Sequence, residues 1–351
     1  MNIALESLAE DWFAWIVQLS LQIAVLAALF ALAERAFLHK AAVSIRSAFT
    51  WAFLARLVLP PGLESPFALV HLLGTDTVAP SSARVFSDFA LAIAVAWMLG
   101  FGAFAARAAA RWRADRSEWL DGAGAAGERI EARARELARR IGLPQAPPVR
   151  VAETARGPAV VGLFRPVIVL PARVAARADS RATEHVLLHE LSHVVRRDAW
   201  AALAWNVARI VFWFHPAVHW AARHAETLRE IACDERAARN ATDPASYRAT
   251  LSDHARALAM PRPFAIAQFA PPRAQILSRL AALDRPLRAS RARDTAGALF
   301  AFALLCACVV PLERRSADPA TSSIDGLDGC LRTRFAVMAA LAAESNARSE
   351  P

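Results

Sequence analysis

Three long apolar runs stand out along the chain. The first lies between Asp11 and Glu34 and contains 22 residues without a formal charge, and residues 89–106 and 295–312 are uncharged runs of 18 residues each. An α-helix rises about 1.5 Å per residue, so each run is long enough to cross roughly 30 Å of hydrocarbon. We therefore predict membrane-spanning helices near residues 12–33, 89–106 and 295–312.

A shorter apolar stretch near residues 48–61 predicts a fourth span. Arg56 and the pair Pro60-Pro61 would make this span short and tilted or kinked, because proline lacks the backbone donor that a helix interior needs. The sequence thus predicts an α-helical membrane protein with three to four transmembrane helices, in which residues 1–108 form most of the membrane region.

The first run has an alternative interpretation as a cleaved signal peptide, since residues 31–33 (ALA) resemble a cleavage site of small residues. A signal peptide begins with basic residues, whereas Glu6, Glu10 and Asp11 precede this run. We therefore favour a membrane helix.

Charge predicts the orientation in the membrane. Basic residues follow the first and third spans and acidic residues precede them, and short loops rich in Lys and Arg stay in the cytoplasm. We expect residues 109–294 to face the cytoplasm, where their 30 Arg and 19 Asp or Glu give a net charge of +11. These arginines form no nucleic-acid recognition motif, so we expect no direct nucleic acid binding and favour attraction to the anionic headgroups of the lipid bilayer.

Composition narrows the class further. The chain is 56% hydrophobic and 21% charged, which excludes a disordered protein and a disulfide-stapled miniprotein. Its four cysteines are too few for a disulfide framework, so we expect reduced thiols.

Residues 109–294 have the pattern of a mixed α and β domain. Residues 122–127 (GAGAAG) indicate a hinge, and residues 128–140 predict a surface helix. Two ion pairs at i,i+4 spacing are expected on that helix, Glu131 with Arg135 and Glu136 with Arg140. Three valine-containing runs separated by Gly and Pro predict a small sheet at residues 148–153, 159–163 and 166–171.

A helical pattern follows from Thr183 to about Phe214, with Ser180 or its neighbour Asp179 as the N-cap. Within it, residues 196–198 (RRD) are interpreted mainly as a structural cluster of charges.

The pattern H-E-x-x-H occupies residues 189–193 (HELSH) of this helical segment. Helical residues four apart share one face, so His189 and His193 project together and can bind one zinc ion. Glu190 is then placed to act as general base, accepting a proton from the water that attacks a peptide carbonyl. A coincidental surface helix is the alternative, which the availability of a third ligand disfavours.

A catalytic zinc ion needs three protein ligands and one open position. Glu230 offers the third ligand from a second predicted helix, since Pro216 ends the first. Asp234, one turn further along, is placed to accept the distal N–H of a ligating histidine and fix its tautomer. Two alternatives stay open: Glu230 and Asp234 are ordinary surface acids, or Cys233 ligates the metal as a thiolate.

The segment between these ligands, residues 199–220, has 22 residues and a single full charge. A single crossing of the bilayer would leave His193 and Glu230 on opposite sides of roughly 30 Å of hydrocarbon. A shared zinc ion and a single crossing therefore exclude each other. We predict that the segment turns back at His215-Pro216 as a buried or interfacial hairpin.

Four segments carry a likeness to known proteins: residues 157–171 (GPAVVGLFRPVIVLP), 189–200 (HELSHVVRRDAW), 214–216 (FHP) and 229–235 (REIACDE). With the arrangement of spans, they resemble the BlaR/MecR family of membrane-embedded zinc metallopeptidases. The resemblance implies a cytoplasmic α+β zincin-like (gluzincin) domain at 109–294, with His189, His193 and Glu230 as ligands of Zn²⁺ and Glu190 as general base. It also implies a multi-pass protein of the bacterial inner membrane that cleaves itself or a transcriptional repressor.

The likeness does not extend to the C-terminal part. Sensor members of the family carry a large external penicillin-binding domain with a Ser-x-x-Lys nucleophile, whereas 39 residues follow Leu312 here. Lys40 is the only lysine and Phe37 stands three positions before it, so these 351 residues contain no Ser-x-x-Lys. Acylation by a β-lactam through that chemistry is excluded, and we expect residues 313–351 to form a short external tail.

We therefore expect an integral-membrane zinc endopeptidase that cleaves a cytoplasmic regulator, with the protein or peptide substrate held as an added strand by residues 159–170. A quality-control protease for membrane proteins, as in the HtpX and CAAX-prenyl-protease relatives, is a second hypothesis. A non-catalytic signalling scaffold that zinc only stabilises is the third. Substitution of Glu190 separates the scaffold from the enzymes, because it removes the base and leaves the ligands.

Overall fold

A computed structural model describes residues 2–36, 38–58, 89–153, 155, 157–259 and 273–283. Over these residues the protein is mostly helical. The helices are α1 (Asn2–Ala36), α2 (Val43–Val58), α3 (Ala90–Leu120), α4 (Glu128–Arg140), α5 (Ala172–Ala175), α6 (Arg181–Arg196), α7 (Asp198–Val211), α8 (Pro216–Asn240), α9 (Pro244–Ala259) and α10 (Arg273–Leu283). The predicted span at 295–312 and the tail at 313–351 lie outside the described residues.

Two helices in the described part of the chain are long and apolar enough to cross a membrane. They are Trp15–Ala36 within α1 and Ala90–Ser117 within α3, and 6% of the α3 window is buried inside the protein. Met98 and Leu99 are examples of its large exposed apolar side chains. The helix α3 runs without a break past residue 108, so it extends from the predicted membrane region into the segment that follows.

Four strands form one small sheet, and three of them lie at the valine-containing runs that predict strands. The strands are β1 (Gly124–Ala125), β2 (Val149–Ala152), β3 (Ala159–Val161) and β4 (Val167–Pro171), in the order β1-β2-β4-β3. β2 and β4 pair in parallel, and the two outer strands pair antiparallel to their neighbours. β3 thus lies at one edge of the sheet, where it packs beside α6.

The glycine-rich segment 122–127 differs from its prediction as a hinge. Gly124 pairs with Val151 and Ala125 with Arg150, so backbone hydrogen bonds fix part of this segment in the sheet. Glycine and alanine are common in flexible segments, but their small side chains also fit in a two-residue strand at the edge of a sheet.

The sheet, α4, α6, α8 and α9 surround one hydrophobic core, which includes Leu137, Ile168 and Leu188. The helix α4 therefore buries one face, as its pattern of apolar residues dictates. One of its two predicted ion pairs is present, since Arg140 lies 2.9 Å from Glu136. The other prediction is wrong, because Arg135 pairs with Glu128 instead of Glu131.

The helix predicted from Thr183 to about Phe214 is interrupted. Arg197 adopts a left-handed conformation with φ 55°, which ends α6 and begins α7 in a new direction. Ser180 caps α6, since its hydroxyl accepts a hydrogen bond from the backbone N–H of Thr183 at 3.1 Å.

The segment after α7 turns back, as predicted. α7 ends at Val211 and α8 begins at Pro216, whose fixed φ suits the first position of a helix. Trp213 in this turn donates a hydrogen bond to the Trp97 carbonyl of α3 at 3.3 Å, and Trp97 donates to the Val211 carbonyl at 3.2 Å. A side chain at Gly100 would overlap Trp213, so that glycine allows the turn to pack closely on the apolar helix.

Candidate metal centre

Two helices bring three side chains of metal-binding type to one point. His189 and His193 project from the same face of α6, and Glu230 faces them from α8. The two Nε2 atoms lie 3.3 Å apart, and carboxylate oxygens of Glu230 lie 3.5 Å from Nε2 of His189 and 3.8 Å from Nε2 of His193. All three donor atoms fall within 4.8 Å of one another. Two imidazoles and a carboxylate suit a divalent transition metal such as zinc.

The outer nitrogen of each histidine contacts a carboxylate. Nδ1 of His189 lies 3.0 Å from Oδ1 of Asp234, and Nδ1 of His193 lies 2.8 Å from Oδ2 of Asp198. A carboxylate at Nδ1 keeps the ring proton on Nδ1. The lone pair of Nε2 then points to the space between the two histidines and Glu230. Both rings are therefore oriented with their free lone pairs toward Glu230.

Asp234 is itself held by two residues from other helices. Arg279 of α10 donates to both of its oxygens, at 2.6 and 2.8 Å, and the Tyr247 hydroxyl of α9 donates to Oδ1 at 2.8 Å. The Asp234 side chain is 1% exposed, so these donors compensate for the loss of water. Arg279 also lies 3.3 Å from Glu230, and so touches both acidic residues of the cluster.

The charges of the cluster shift its titration strongly. Burial would raise the pKa of Asp234, but hydrogen bonds from Arg279 and His189 lower it to about 2. Burial would lower the pKa of His189, but the carboxylates of Asp234 and Glu230 raise it to about 10. A proton thus competes with a metal ion for this imidazole, and metal binding would release it.

Glu190 follows His189 and is 5% exposed. Burial raises the pKa of its carboxyl group above the ordinary value for a glutamate. A carboxylate with a raised pKa is a better proton acceptor than an ordinary one, which is the property that a general base at neutral pH requires.

A second group of possible ligands lies on the other side of His193. Cys233 donates to Oδ2 of Asp198 at 3.2 Å and lies 3.3 Å from Nδ1 of His193. Burial and the Asp198 charge raise the pKa of the Cys233 thiol, which disfavours the thiolate that a metal needs. Cys233 is fully buried and Asp198 is 6% exposed, whereas the side chains of His189, His193 and Glu230 are 14–18% exposed. The His189, His193 and Glu230 group is therefore the better candidate for a catalytic metal.

Three residues of the cluster were not expected from the sequence. Asp198 had been interpreted as part of a structural ion cluster with Arg196, and the structure places it on His193 as well as 3.2 Å from Arg196. Tyr247 and Arg279 follow the motif by more than fifty residues, and no local spacing connects them to it.

A histidine pair one helical turn apart, a glutamate from a second helix and a carboxylate behind each imidazole are the kinds of donors that metallopeptidases use. The sequence matches the BlaR1 peptidase M56 family over residues 14–283, and the chain belongs to that family. Membership in this family implies a metal-dependent peptidase.

Individual relatives match a smaller part. The regulatory protein BlaR1 of Bacillus licheniformis is 38% identical over 79 residues, which are 22% of this chain and 13% of that protein. The methicillin resistance mecR1 proteins of Staphylococcus aureus (strain Mu50 / ATCC 700699) and Staphylococcus epidermidis are each 35% identical over 77 residues, with the same shares. The chain thus spans about one eighth of the length of these curated relatives.

Proposed function

We propose that this protein is a zinc-dependent endopeptidase of the bacterial inner membrane that cleaves a cytoplasmic regulator, such as a transcriptional repressor, and also itself. The observation that carries the proposal is the convergence of the two Nε2 atoms and the Glu230 carboxylate within 4.8 Å. In this assignment His189, His193 and Glu230 hold the metal, Glu190 is the general base, and Asp234 orients His189.

A bound zinc ion would polarise the scissile carbonyl and lower the pKa of the attacking water. The protein supplies the remaining steps. Glu190 accepts the proton of that water and donates it to the leaving amine. Asp198 and Asp234 would keep the imidazole rings in the tautomer that binds metal and make them stronger electron-pair donors.

The substrate is expected to bind as an added strand. β3 lies at the edge of the sheet beside α6, with its antiparallel partner β4 on the other side. No other strand of the described residues pairs with its outer edge, which therefore offers backbone donors and acceptors to a peptide. An extended peptide on β3 would pass along the helix that carries His189 and His193. Backbone recognition of this kind favours an endopeptidase over an enzyme that needs a free terminus.

The membrane placement rests on the two apolar helices and on the distribution of arginine. Trp15–Ala36 and Ala90–Ser117 are each of sufficient length to span the bilayer. The positive charge of residues 109–294 favours a cytoplasmic site, in agreement with a soluble regulator as substrate. The names of the relatives, a regulatory protein and methicillin resistance proteins, support a role in controlling gene expression.

The test compares protein N-termini in the native host between deletion strains that carry wild type or Glu190→Ala. We expect termini that appear only with wild type, because loss of a general base lowers turnover by about 10²- to 10⁴-fold. A new terminus in a DNA-binding repressor supports the proposal, and a spread of cleaved membrane proteins assigns the protein to quality control instead.

The purified Glu190→Ala protein supplies the control. It should retain one zinc ion per chain, because its three ligands are intact. Identical N-terminal profiles in the two strains, with zinc still bound, would contradict the protease and favour a zinc-stabilised scaffold.

A further inference from the structure

A cavity of about 620 Å³ lies between α2, α7 and α8, and its lining contains none of His189, His193 and Glu230. Its volume is within the range of small-molecule pockets in proteins, roughly 300–1,000 Å³. Four arginines line it, Arg196, Arg197, Arg209 and Arg229, against two carboxylates. The cavity therefore has a net positive lining.

Three of these guanidinium groups have hydrogen-bonding capacity to spare. Arg209 lies 3.7 Å from Glu226, and Arg229 lies 3.9 Å from Glu230, both beyond hydrogen-bond distance. The Nε of Arg229 is buried and has no hydrogen-bond partner among the residues that the structure describes. Within the same described residues, Arg197 has no carboxylate within 4.0 Å. Arg196 differs, because it is engaged by Asp198 at 3.2 Å.

Partial burial of Arg209 and Arg229, whose side chains are 29% and 22% exposed, is unfavourable without an anion. Desolvation lowers the pKa of Arg209 below that of a free guanidinium, and Glu226 compensates for it only in part. A bound anion that accepts from several planar guanidinium groups at once would supply the missing hydrogen bonds. Phosphate has the geometry for such two-pronged contacts.

The position of the cavity indicates the source of the phosphate. Ser47, Thr50 and Trp51 line one wall, and they belong to the first nine residues of α2, which starts shortly after the apolar helix ends at Ala36. Trp51 and Trp200 also line the cavity, and they are 49% and 43% exposed. Exposed tryptophans at the end of a span are typical of the headgroup level of a bilayer.

We propose that this cavity binds the phosphate of an anionic phospholipid headgroup. The inference rests on the membrane placement proposed above but not on proteolysis. The occupied cavity touches the metal-binding cluster at two places, because Asp198 lines it and contacts His193, and Arg229 precedes Glu230. A lipid there would fix the walls of α7 and α8 on which those residues depend.

The experiment titrates phosphatidylglycerol into the full chain, purified in detergent and stripped of lipid, and counts bound lipids by native mass spectrometry. The variant is Arg197→Gly with Arg209→Gln. Glycine suits the left-handed backbone at position 197, so the fold at the start of α7 is retained. The control carries Arg129→Gln and Arg239→Gln, which remove the same charge from exposed positions outside the cavity.

We expect the first phosphatidylglycerol to bind wild type and control equally and the cavity variant about tenfold or more weakly, since a basic residue near a membrane surface contributes on the order of a factor of five. Arg197→Lys with Arg209→Lys should restore part of the binding, because the charge returns without the planar fork. Zinc content equal to wild type shows that each variant is folded.

Equal binding by the cavity variant and the control would overturn the proposal. Two further titrations, with inorganic phosphate and with a glutamate-rich peptide, test other sources of the anion. If inorganic phosphate, at the same concentration as the lipid, saturates wild type but not the cavity variant, the cavity binds a soluble phosphate. Arginine-dependent binding of a glutamate-rich peptide, with no binding of phosphatidylglycerol, would assign it to a protein. Either result would overturn the lipid assignment, and none of these readouts depends on cleavage.

Discussion

Oδ2 of Asp198 lies 2.8 Å from Nδ1 of His193, although the two residues belong to different helices. The left-handed Arg197 between the helices redirects the chain so that the first residue of α7 faces back to the last turn of α6. His193 thereby receives from Asp198 the kind of contact that His189 receives from Asp234. The two candidate ligands are held in the same way from opposite sides.

Asp198→Asn tests this relationship. An amide oxygen can still accept the N–H of His193, but it no longer adds negative charge behind the ring, so the imidazole is a weaker donor. We expect zinc affinity to fall about 10- to 100-fold, as for other outer partners of metal-binding histidines. Competition with a chromogenic chelator measures the affinity. Asp115→Asn, at an exposed position of α3, is the control, and equal affinities for the two variants would contradict the assignment.

Cys233→Ala decides between the two possible metal groups. The thiol is buried and protonated, and it lies on the Nδ1 side of His193, away from Glu230. We therefore expect the alanine variant to retain one zinc ion per chain, and Glu230→Ala to lose most of it. Elemental analysis of the purified proteins gives both numbers. Zinc lost from Cys233→Ala and kept by Glu230→Ala would move the site to the buried group.

The sequence predicted the histidine pair because helical periodicity alone aligns residues 189 and 193. It did not predict the role of Asp198. On an unbroken helix, a residue five positions after His193 would project about 140° away from it, given roughly 100° per residue. The contact depends on the left-handed turn at Arg197, and arginine gives no sign of that conformation, which glycine and asparagine usually adopt.

The residues that hydrogen-bond to Asp234 could not be predicted from the sequence, for a different reason. Tyr247 and Arg279 come from α9 and α10, which contact α8 only through tertiary packing. A contact between residues 45 positions apart, such as Arg279 with Asp234, leaves no periodic trace in one sequence. Three of the four strands were easier to predict, since they are short valine-containing runs between glycine and proline.

Glu184→Gln should destabilise the folded protein in a pH-dependent way. The side chain is 4% exposed, and its carboxylate contacts Arg133 at 2.8 Å, Arg140 at 3.1 Å and the Thr242 hydroxyl at 2.7 Å. Burial alone would raise the pKa of Glu184, but the Thr242 hydrogen bonds and the two arginines lower it below the ordinary 4.5. We expect the substitution to lower the free energy of unfolding by about 2 kcal/mol at pH 7.

The sign of the pH dependence follows from the lowered pKa. A carboxyl group with a depressed pKa in the folded state stabilises it above the pKa of the unfolded state, and this contribution is lost as the pH falls through the folded value. The difference in melting temperature between wild type and Glu184→Gln should therefore be constant from pH 7 to about pH 5 and shrink below 4.5. Glu128→Gln, whose side chain is 78% exposed, should show almost no difference at any pH. A gap that persists undiminished at pH 3.5 would contradict the role of the charge.

Gly162→Ala should weaken the turn that positions the edge strand. Gly162 follows β3 directly and has φ 105°, a conformation that disfavours side chains, and a Cβ there would overlap the carbonyl oxygen of Arg165. We expect the folded state to lose about 1–3 kcal/mol, detected as a lower melting temperature in detergent.

Gly157→Ala, on the other side of β3, is the matched control, because no atom lies within 4 Å of the added methyl group. Since Gly162 lies outside the two helices that carry the candidate metal ligands, zinc content should stay at the wild-type level, while cleavage of a peptide substrate should fall through a higher KM. Equal melting temperatures for the two alanine variants would show that the turn does not constrain β3.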